Sequence, residues 1–447
     1  MKIHLIGIGG IGMSGLARCL VTQGHVVTGS DLKPSPLAEL PGVRVAIGHD
    51  AGNVGEADLV VRSAAVREDN PEVVEARARH LEVLKYAQML GRLTQDRALI
   101  AVAGCHGKTT TSAMIAYILQ RAGFDPGFVI GGVIPQLGSN AALGQGRHFV
   151  AEACEYDRSF LNLSPKCAVV TNIEEDHLDY YKDLEEIVGA FREFAGRASE
   201  MVIASLDSPP AAAIVLERKG RDEGYSVDRD ADWRARNVEV RDGRWTFEVL
   251  KYGKPFGEFH LAIPGTHNVA NALAAMAAAT WAGVGREIIQ VALAEFGGAA
   301  RRFQLLGERN GVVVIDDYGH HPTEIQATLR AARERYPERK IWCVFQPHQH
   351  SRTRILLKEF GKAFADANLI LLHDIYEARD SDTGSVSSGD LAKLLDQNGK
   401  AALHLRTMDE IVTFLREKAG SDCLILTMGA GNIDEVARRF LQGVPPA

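Results

Sequence analysis

The sequence lacks the features of a secreted, membrane-spanning or nucleic-acid-binding protein. Its 447 residues include six cysteines, none in a C-x-x-C pair, so a disulfide scaffold is not indicated. No apolar run is long enough for a membrane helix, and the opening MKIHLIGIGG has no signal-peptide pattern. The formal charge of -7 disfavours nucleic acid and anionic lipid as partners. We therefore expect a cytoplasmic protein with no nucleic-acid or membrane partner.

Short apolar runs alternate with helix-period segments along the whole chain. Examples are HLIGI, ALIAVAG, CAVVTN, IWCVF and LILTMG. This alternation predicts an α/β fold with parallel sheets covered on both faces. The chain is too long for one ordinary domain, and breaks are predicted near residues 91–96 and 297–299. The sequence thus predicts three domains, residues 1–95, 96–298 and 299–447.

The middle domain contains a stretch with a different pattern. Between Asp222 and His260 the segments WRARNVEV, RWTFEVL and FGEFHLAI alternate polar and apolar residues. Such alternation is typical of antiparallel strands with one face in the core. We therefore expect a β insertion within the middle domain.

The first glycine-rich stretch, Gly7-x-Gly9-x-x-Gly12, lies between a predicted strand and a predicted helix, and Asp31 follows the next strand. Glycines let backbone N–H groups approach a diphosphate at a helix N-terminus, where the helix dipole favours anions. Any diphosphate satisfies this geometry. A nicotinamide dehydrogenase is therefore one interpretation, and a tight turn without a ligand is another.

The second glycine-rich stretch is GCHGKTTT, from Gly104 to Thr111. Lys108 can neutralise the β- and γ-phosphates of ATP, and Thr109 can offer its hydroxyl to Mg²⁺. The loop is a shorter variant of the common phosphate-binding pattern G-x-x-x-x-G-K-[ST], because Val102 occupies the position of the first glycine of that pattern. The stretch predicts an ATP site, although Lys-Thr at an ordinary helix start is the alternative. Because Cys105 lies in an electropositive loop, we expect its thiolate to be favoured.

Acidic residues and a histidine follow two further predicted strands. Glu155 ends the first of these, and the second continues as NIEEDHLDYY. Ligands of α/β proteins bind at strand ends. Thr109, Glu155 and His177 are therefore candidate Mg²⁺ ligands. We assign the other acidic residues of this segment to a solvent-exposed loop: Glu174, Glu175 and Asp179.

A series of longer motifs runs through the chain in the same order as in one enzyme family. They are IGIGGIGMSGLA, AGCHGKTTT, EACEYDRSFL, TNIEEDHLDYY, PGTHNVANALAA, ARRFQ, DDYGHHPTEI, FQPHQHSRTR and GAGNI. Together they resemble the Mur ligases of peptidoglycan assembly, essentially from end to end. The resemblance implies a Rossmann-like N-terminal domain, a central P-loop ATPase domain with the β insertion, and a Rossmann-like C-terminal domain. It also implies an ATP- and Mg²⁺-dependent ligase, monomeric or homodimeric, that joins L-alanine to UDP-N-acetylmuramate.

The same resemblance assigns roles to individual residues. The UDP-sugar would contact Gly9, Gly10, Ile11, Gly12, Met13, Asp31 and Ser63. ATP would contact Gly104, His106, Gly107, Lys108, Thr109, Thr110, Asn268, Asn271 and Asp317, the asparagines toward adenine and the aspartate toward ribose. The catalytic residues would be Lys108, Glu155, His177 and Arg302, of which Glu155 and His177 would bind metal with Thr109. Alanine and the lactyl carboxylate would contact Tyr318, His320 and Arg352.

Several neighbouring residues leave the assignment open. One of His320 and His321 is expected to face ligand while the other packs or caps, and one of Arg301 and Arg302 could simply form a salt bridge. Gln349 stands where the family often has arginine. The division of carboxylate binding is therefore open among His348, His350, Arg352 and Arg354.

The implied reaction transfers the γ-phosphoryl of ATP to the lactyl carboxylate, and the amine of alanine then attacks the acyl phosphate. Lys108, Mg²⁺ and Arg302 would offset the repulsion between the two anions. Because an acyl phosphate hydrolyses readily, we expect the third domain to rotate onto the second. Three alternatives stay open: the family member that adds a whole tripeptide, a regulatory nucleotide-binding module with an inactive site, and a dehydrogenase.

Overall fold

The protein folds around three β-sheets that follow one another along the chain. The computed structural model describes residues 1–178, 180–218, 222–378, 380, 382 and 384–442, except the side chains of residues 36 and 39. Asp179, predicted as a loop residue, lies outside the described residues. The predicted α/β fold with three sheet-centred units is confirmed, whereas its domain limits stay predictions.

The first sheet is parallel, with strand order β3-β2-β1-β4-β5. Successive residues of β1 pack on opposite faces of the sheet: Leu5 belongs to one apolar cluster and Ile6 to another. Its elements are β1 (Lys2–Ile6), α1 (Ile11–Thr22), β2 (Val26–Asp31), β3 (Val43–Ile47), β4 (Leu59–Arg62), α2 (Pro71–Ala78), β5 (Glu82–Lys85) and α3 (Tyr86–Thr94), with short 3₁₀ helices at Pro36–Glu39 and Ala51–Val54.

The second sheet has the order β15-β14-β13-β12-β11-β10-β6-β9-β7-β8. Strand β6 lies inside it between β10 and β9, and all its side chains are buried. The elements are β6 (Ala98–Ala103), α4 (Lys108–Arg121), β7 (Gly127–Ile134), β8 (Ser139–Ala142), β9 (His148–Glu152), β10 (Cys167–Val170), α5 (Leu184–Gly196), β11 (Met201–Ser205), α6 (Pro209–Glu217), β12 (Glu223–Ser226), β13 (Trp233–Arg241), β14 (Arg244–Lys251), β15 (Lys254–Leu261), α7 (Thr266–Trp281) and α8 (Arg286–Glu295), with 3₁₀ helices at Pro135–Leu137 and Tyr156–Asn162.

The predicted β insertion is present as β13, β14 and β15, which pair antiparallel. It continues the second sheet, because β12 pairs parallel with β13. Its inward residues Trp233, Trp245 and Phe247 are fully buried, so the insertion extends the core of this unit.

The third sheet has the order β16-β17-β21-β18-β19-β20. It is parallel apart from β16, which pairs antiparallel with β17. The elements are β16 (Gln304–Arg309), β17 (Val312–Asp317), α9 (Pro322–Arg335), β18 (Lys340–Phe345), α10 (His350–Ile355), α11 (Leu357–Ala363), β19 (Leu369–Leu372), α12 (Ser388–Gln397), β20 (Ala402–His404), α13 (Met408–Lys418), β21 (Cys423–Met428) and α14 (Asp434–Leu441).

The segment 91–96, where a break is predicted, begins inside α3, which ends at Thr94; the limit between residues 95 and 96 stays a prediction. Gly91 lies inside this helix. A Cβ at Gly91 would meet the carbonyl oxygen of Asn162 at 2.3 Å, so this glycine marks close packing of α3 on the second unit and not a linker.

Among the described residues, no helix is long and apolar enough to cross a membrane.

Candidate active site

Two cavities meet where the three sheets converge. The larger, of about 680 Å³, is lined by both glycine-rich stretches and by residues of the third unit. The smaller, of about 410 Å³, lies between the second and third units. Four residues line both cavities: His106, Gly107, Arg302 and Glu324. The second glycine-rich stretch therefore forms part of the wall between two ligand-sized spaces.

The second stretch turns sharply from β6 into α4. Gly107 caps the helix with φ of 82°, a conformation that favours glycine, and a Cβ there would lie 2.5 Å from the side-chain oxygen of Asn271. The helix has no side-chain cap, so its first N–H groups face the cavities without an acceptor side chain from the cap residue. Such an N-terminus suits phosphate.

Lys108 lies over the loop and pairs with a buried carboxylate. Its Nζ donates to the carbonyl oxygen of Gly104 and lies 3.0 Å from the Glu155 carboxylate. Burial lowers the pKa of Lys108, but Glu155 outweighs it, and the pKa stands above its usual value. Burial likewise raises the pKa of Glu155, and Lys108 and His177 together hold it below its usual value. Both groups are therefore charged at neutral pH.

Three possible metal ligands gather beside Lys108. The ligand atoms of Glu155, Asp176 and His177 all lie within 4.8 Å of one another, and Nε2 of His177 is 3.4 Å from Oε1 of Glu155. Thr109, whose hydroxyl accepts from Arg302 at 3.3 Å, lines the same cavity. Carboxylate and hydroxyl oxygens with one imidazole suit a divalent cation, so these residues fit the expected metal.

Arg301 and Arg302 have separate environments. Arg301 donates to Asp316 at 3.0 Å and to the carbonyl oxygens of Gly429 and Gly431, which fixes it within the third unit. Arg302 lines both cavities and reaches across to Thr109.

The smaller cavity contains the residues expected around a nucleoside. Asn268 donates to the carbonyl oxygen of Pro264 at 2.6 Å, and Asn271 donates to Asn268 at 3.1 Å. Asp317 accepts from the N–H groups of Phe303 and Gly319, each at 2.7 Å. Burial raises the pKa of Asp317 to about 6, so its carboxylate is ionised at neutral pH and can accept from hydroxyls. Thr110 lines this cavity as well.

The first glycine-rich stretch opens into the larger cavity. Gly10, Ile11, Gly12, Met13 and Ser63 line it. Gly10 caps α1 without a side-chain cap, so this helix also presents free N–H groups. Gly9 and Asp31 are not in the cavity lining; the Gly9 N–H instead donates to the Asp31 carboxylate at 2.9 Å.

The far end of the larger cavity is formed by the third unit. Tyr318, His320, His348, Gln349 and Arg352 line it. Burial lowers the pKa of His320 to about 3, so its ring is neutral, and its Nδ1–H can donate to the Tyr318 carbonyl oxygen at 3.2 Å.

Two residues near this end do not line the cavities. His350 contacts the carbonyl oxygen of Val386 at 2.9 Å, and Arg354 pairs with Asp382. Within the segment FQPHQHSRTR, the structure therefore leaves His348 and Arg352 as the basic side chains at the cavity.

Family models match three consecutive parts of the chain. They are described as Mur ligase family, catalytic domain (residues 2–98), Mur ligase middle domain (residues 102–279) and Mur ligase, glutamate ligase domain (residues 301–431). The UDP-N-acetylmuramate--L-alanine ligase of Caldanaerobacter subterraneus subsp. tengcongensis is 43% identical, over 99% of this chain and 97% of that protein. The chain belongs to the Mur ligase family.

Solved structures of two Mur ligases have the same architecture. The UDP-N-acetylmuramate-alanine ligase of Thermotoga maritima is 30% identical, with a TM-score of 0.85 over 99% of this chain and 98% of that one. The murein peptide ligase of Psychrobacter arcticus is 28% identical, with a TM-score of 0.72 and the same coverage. The resemblance stated from the sequence motifs is thus confirmed.

One expectation about this Mur ligase is wrong, and another holds only in part. Cys105 is only 8% exposed, and its pKa stands well above the usual value, because burial and the carboxylates of Glu155 and Asp176 disfavour the thiolate more than Lys108 favours it. Glu174 lies in a loop, but its carboxylate is only partly exposed and contacts other side chains. Its carboxylate accepts from Thr323 at 2.9 Å and lies 3.6 Å from His106. Glu175 is exposed, in agreement with its loop assignment.

Sequence reasoning missed several residues of the ligase site. Asp176 was named in its motif but given no role, and it pairs with Arg352 at 2.8 Å. Glu324 lies in DDYGHHPTEI but was given no role, and it contacts the phosphate loop through His106. Glu152 and Tyr156 belong to EACEYDRSFL but were given no role, and Tyr86 lies outside the quoted motifs; all three line the larger cavity. His321 caps α9 by accepting from the Thr323 N–H, in agreement with the expectation that one of His320 and His321 packs or caps.

Proposed function

We propose that this Mur ligase joins L-alanine to the lactyl carboxylate of UDP-N-acetylmuramate with hydrolysis of ATP to ADP and phosphate. The relative from Caldanaerobacter carries that activity in its name. The observation that carries the proposal is the larger cavity, in which the first loop, the phosphate loop and the third unit all face one space. One cavity can then hold a nucleotide-sugar at one end and an amino acid at the other.

The UDP-sugar diphosphate binds at the first loop. Residues 10–13 begin α1, whose free N–H groups and dipole favour an anion. Ser63 lines the same wall and can donate its hydroxyl. Asp31 does not face this space; by accepting from Gly9 it holds the loop in the shape that the diphosphate needs.

ATP binds with its adenosine in the smaller cavity and its phosphates on residues 104–110. Asn268 and Asn271 lie toward adenine, and Asp317 accepts from the ribose hydroxyls. Lys108 now pairs with Glu155. When the triphosphate is present, the ammonium group of Lys108 exchanges this partner for phosphate oxygens, which releases Glu155 for metal binding.

Mg²⁺ supplies the charge neutralisation that lets a triphosphate approach a carboxylate. Thr109, Glu155 and His177 would hold it, since they offer the required oxygen and nitrogen donors beside the phosphate loop. Removal of metal with a chelator is expected to stop phosphate release, and added Mg²⁺ to restore it. Glu155→Gln should raise the Mg²⁺ concentration needed for half-maximal rate.

The residues of the site promote two steps. The lactyl carboxylate attacks the γ-phosphorus, ADP leaves, and Lys108 and Arg302 stabilise the charge on the transferring group. The amine of alanine then attacks the acyl carbon and phosphate leaves. Arg352 binds the alanine carboxylate, and neutral His320 accepts a hydrogen bond from its amine. The third unit, docked on the second through Arg302 and Arg352, excludes water from the acyl phosphate.

A second ligase function is favoured by one comparison. The murein peptide ligase of Psychrobacter arcticus shares the fold over nearly the whole chain, and such an enzyme would take a tripeptide as the amine. Phosphate release should therefore be measured with ATP and UDP-N-acetylmuramate and either L-alanine or the tripeptide. We expect L-alanine to support turnover. Phosphate release with the tripeptide but not with L-alanine would identify the protein as the tripeptide-adding ligase. If neither amine supported phosphate release, a regulatory module would be favoured.

A further inference from the structure

The carboxylate of Glu324 faces two different parts of the molecule with its two oxygens. Oε2 accepts from the N–H groups of His320 and His321, at 2.9 and 3.1 Å, and so caps its own helix, α9. Oε1 lies 3.1 Å from Nδ1 of His106 in the phosphate loop and 4.0 Å from Nη1 of Arg302. One oxygen therefore fixes the helix, and the other reaches the second unit.

His106 is fixed in place on the side of the phosphate loop. Its N–H donates to Asn172 at 2.9 Å, and its carbonyl oxygen accepts from the Asn172 side chain at 3.0 Å. Burial lowers the pKa of its ring, but the carboxylates of Glu324 and Glu174 outweigh burial and raise the pKa to about 10. His106 is thus an imidazolium at neutral pH, and its contact with Glu324 is an ion pair.

The pair stands at the passage between the two cavities. His106 and Glu324 line both cavities, as do Gly107 and Arg302. Arg302 in turn donates to Thr109 on the first turn of α4. In the proposed arrangement, with ATP in the smaller cavity and the sugar carboxylate in the larger, the γ-phosphoryl is transferred at this point. A shift of about 1 Å here would misalign the reacting atoms and lower the rate about a hundredfold.

We propose that Glu324 is a positioning residue, which aligns the phosphate loop with Arg302 when the third unit docks. This inference rests on the ligase reaction proposed above. Glu324 acts through its contacts with His106 and Arg302. In a purely structural role Glu324 would serve only as the cap of α9, and the charge on its second oxygen would not affect turnover.

Glu324→Gln separates the two roles. The amide oxygen of glutamine can keep the cap on His320 and His321, while the charge that faces His106 and Arg302 is lost. The control is Glu410→Gln, because Glu410 caps α13 in the same kind of capping box and is exposed. His106→Gln tests the same contact from the phosphate loop and keeps the Glu324 carboxylate on the N–H groups of His320 and His321, and the double variant completes a cycle.

We expect E324Q and H106Q each to lower kcat about tenfold to a hundredfold. The KM for UDP-N-acetylmuramate should stay near that of wild type and E410Q, measured at a temperature where every variant is folded. Because both substitutions break the contact between Glu324 and His106, the double variant should be no slower than the slower single variant. A loss of kcat below about fivefold in both single variants, or losses that multiply in the double variant, would overturn the proposal.

The wild-type control keeps this test separate from the proposed function. If wild-type protein releases no phosphate with L-alanine, the proposed reaction is wrong, and the variants are then compared by their affinity for a non-hydrolysable ATP analogue. A weaker affinity in both single variants would support the alignment of the phosphate loop, and an unchanged affinity would contradict it.

Discussion

The guanidinium of Arg352 lies 2.8 Å from the carboxylate of Asp176, across the boundary between the second and third units. Their side chains are 9% and 8% exposed. Burial raises the pKa of Asp176, but Arg352 and His177 outweigh it and hold the pKa well below its usual range. Asp176 directly precedes His177, a candidate metal ligand, so this pair joins the amino-acid end of the cavity to its metal end.

Arg352→Ala is expected to raise the KM for L-alanine about tenfold to a hundredfold, because a charge-assisted contact to the substrate carboxylate is lost. Initial rates at varied L-alanine measure this directly. Arg354→Ala is the matched control, since Arg354 lies on the same helix but pairs with the partly exposed Asp382. Arg352→Lys keeps the charge opposite Asp176 and checks that a folding defect is not responsible. An unchanged KM would remove Arg352 from the amino-acid site.

Lys108→Ala is expected to lower ATP-dependent phosphate release by about a thousandfold or more, because the developing charge on the phosphoryl group loses its nearest cation. Binding of UDP-N-acetylmuramate, measured by calorimetry, should persist, since residues 10–13 belong to a different helix. Lys166→Ala, which removes an exposed lysine paired with Glu200, is the control. Substantial turnover by Lys108→Ala would refute the assigned role.

Alkylation is expected to reach Cys154 before Cys105. Cys154 is exposed to the larger cavity, whereas Cys105 is buried. Protein around the Cys154 thiol raises its pKa to about 12, so the reaction with iodoacetamide should be slow at neutral pH and accelerate as pH rises. Mass spectrometry of peptides measures both sites, and the fully buried Cys343 serves as an unreactive reference. Faster labelling of Cys105 would contradict its placement.

Glu72 is expected to make the stability of the protein depend on pH. It is fully buried; burial raises its pKa, but hydrogen bonds from His4, Ser30 and Asn53 outweigh it and lower the pKa from 4.5 to about 2. Because its pKa is lower in the folded state, the Glu72 carboxylate stabilises the folded protein above pH 4.5, and this stabilisation is lost as the pH falls towards 2. This contribution is about 3 kcal/mol.

Urea unfolding of Glu72→Gln and wild type should therefore differ by up to about 3 kcal/mol at neutral pH, and the gap should narrow in acid. The control is Glu82→Gln, since Glu82 forms an exposed pair with Arg92 that is worth at most about 1 kcal/mol. A gap that stays constant with pH would show that the Glu72 carboxylate does not hold this lowered pKa.

Much of the fold could be predicted because its signals are local. The runs HLIGI, ALIAVAG and CAVVTN are β1, β6 and β10 in the structure, since short apolar runs bounded by glycine fit buried parallel strands. The apolar runs of the sequence do not include β3, β5, β7, β8, β12, β16 and β20. In β3, for example, Arg44 and Ile47 are exposed, so the apolar signal is too weak to distinguish a strand from a loop.

By itself, the sequence determined the two glycine-rich loops, the strands and helices that carry them, and the family, because periodicity and motif spacing record geometry within a few residues of the chain. Only the tertiary structure decided that Arg302 reaches Thr109, 193 positions away, that Arg352 pairs with Asp176, 176 positions away, and that Glu324 meets His106. These contacts depend on how three separately formed sheets dock, and burial then sets the charges of the groups that meet.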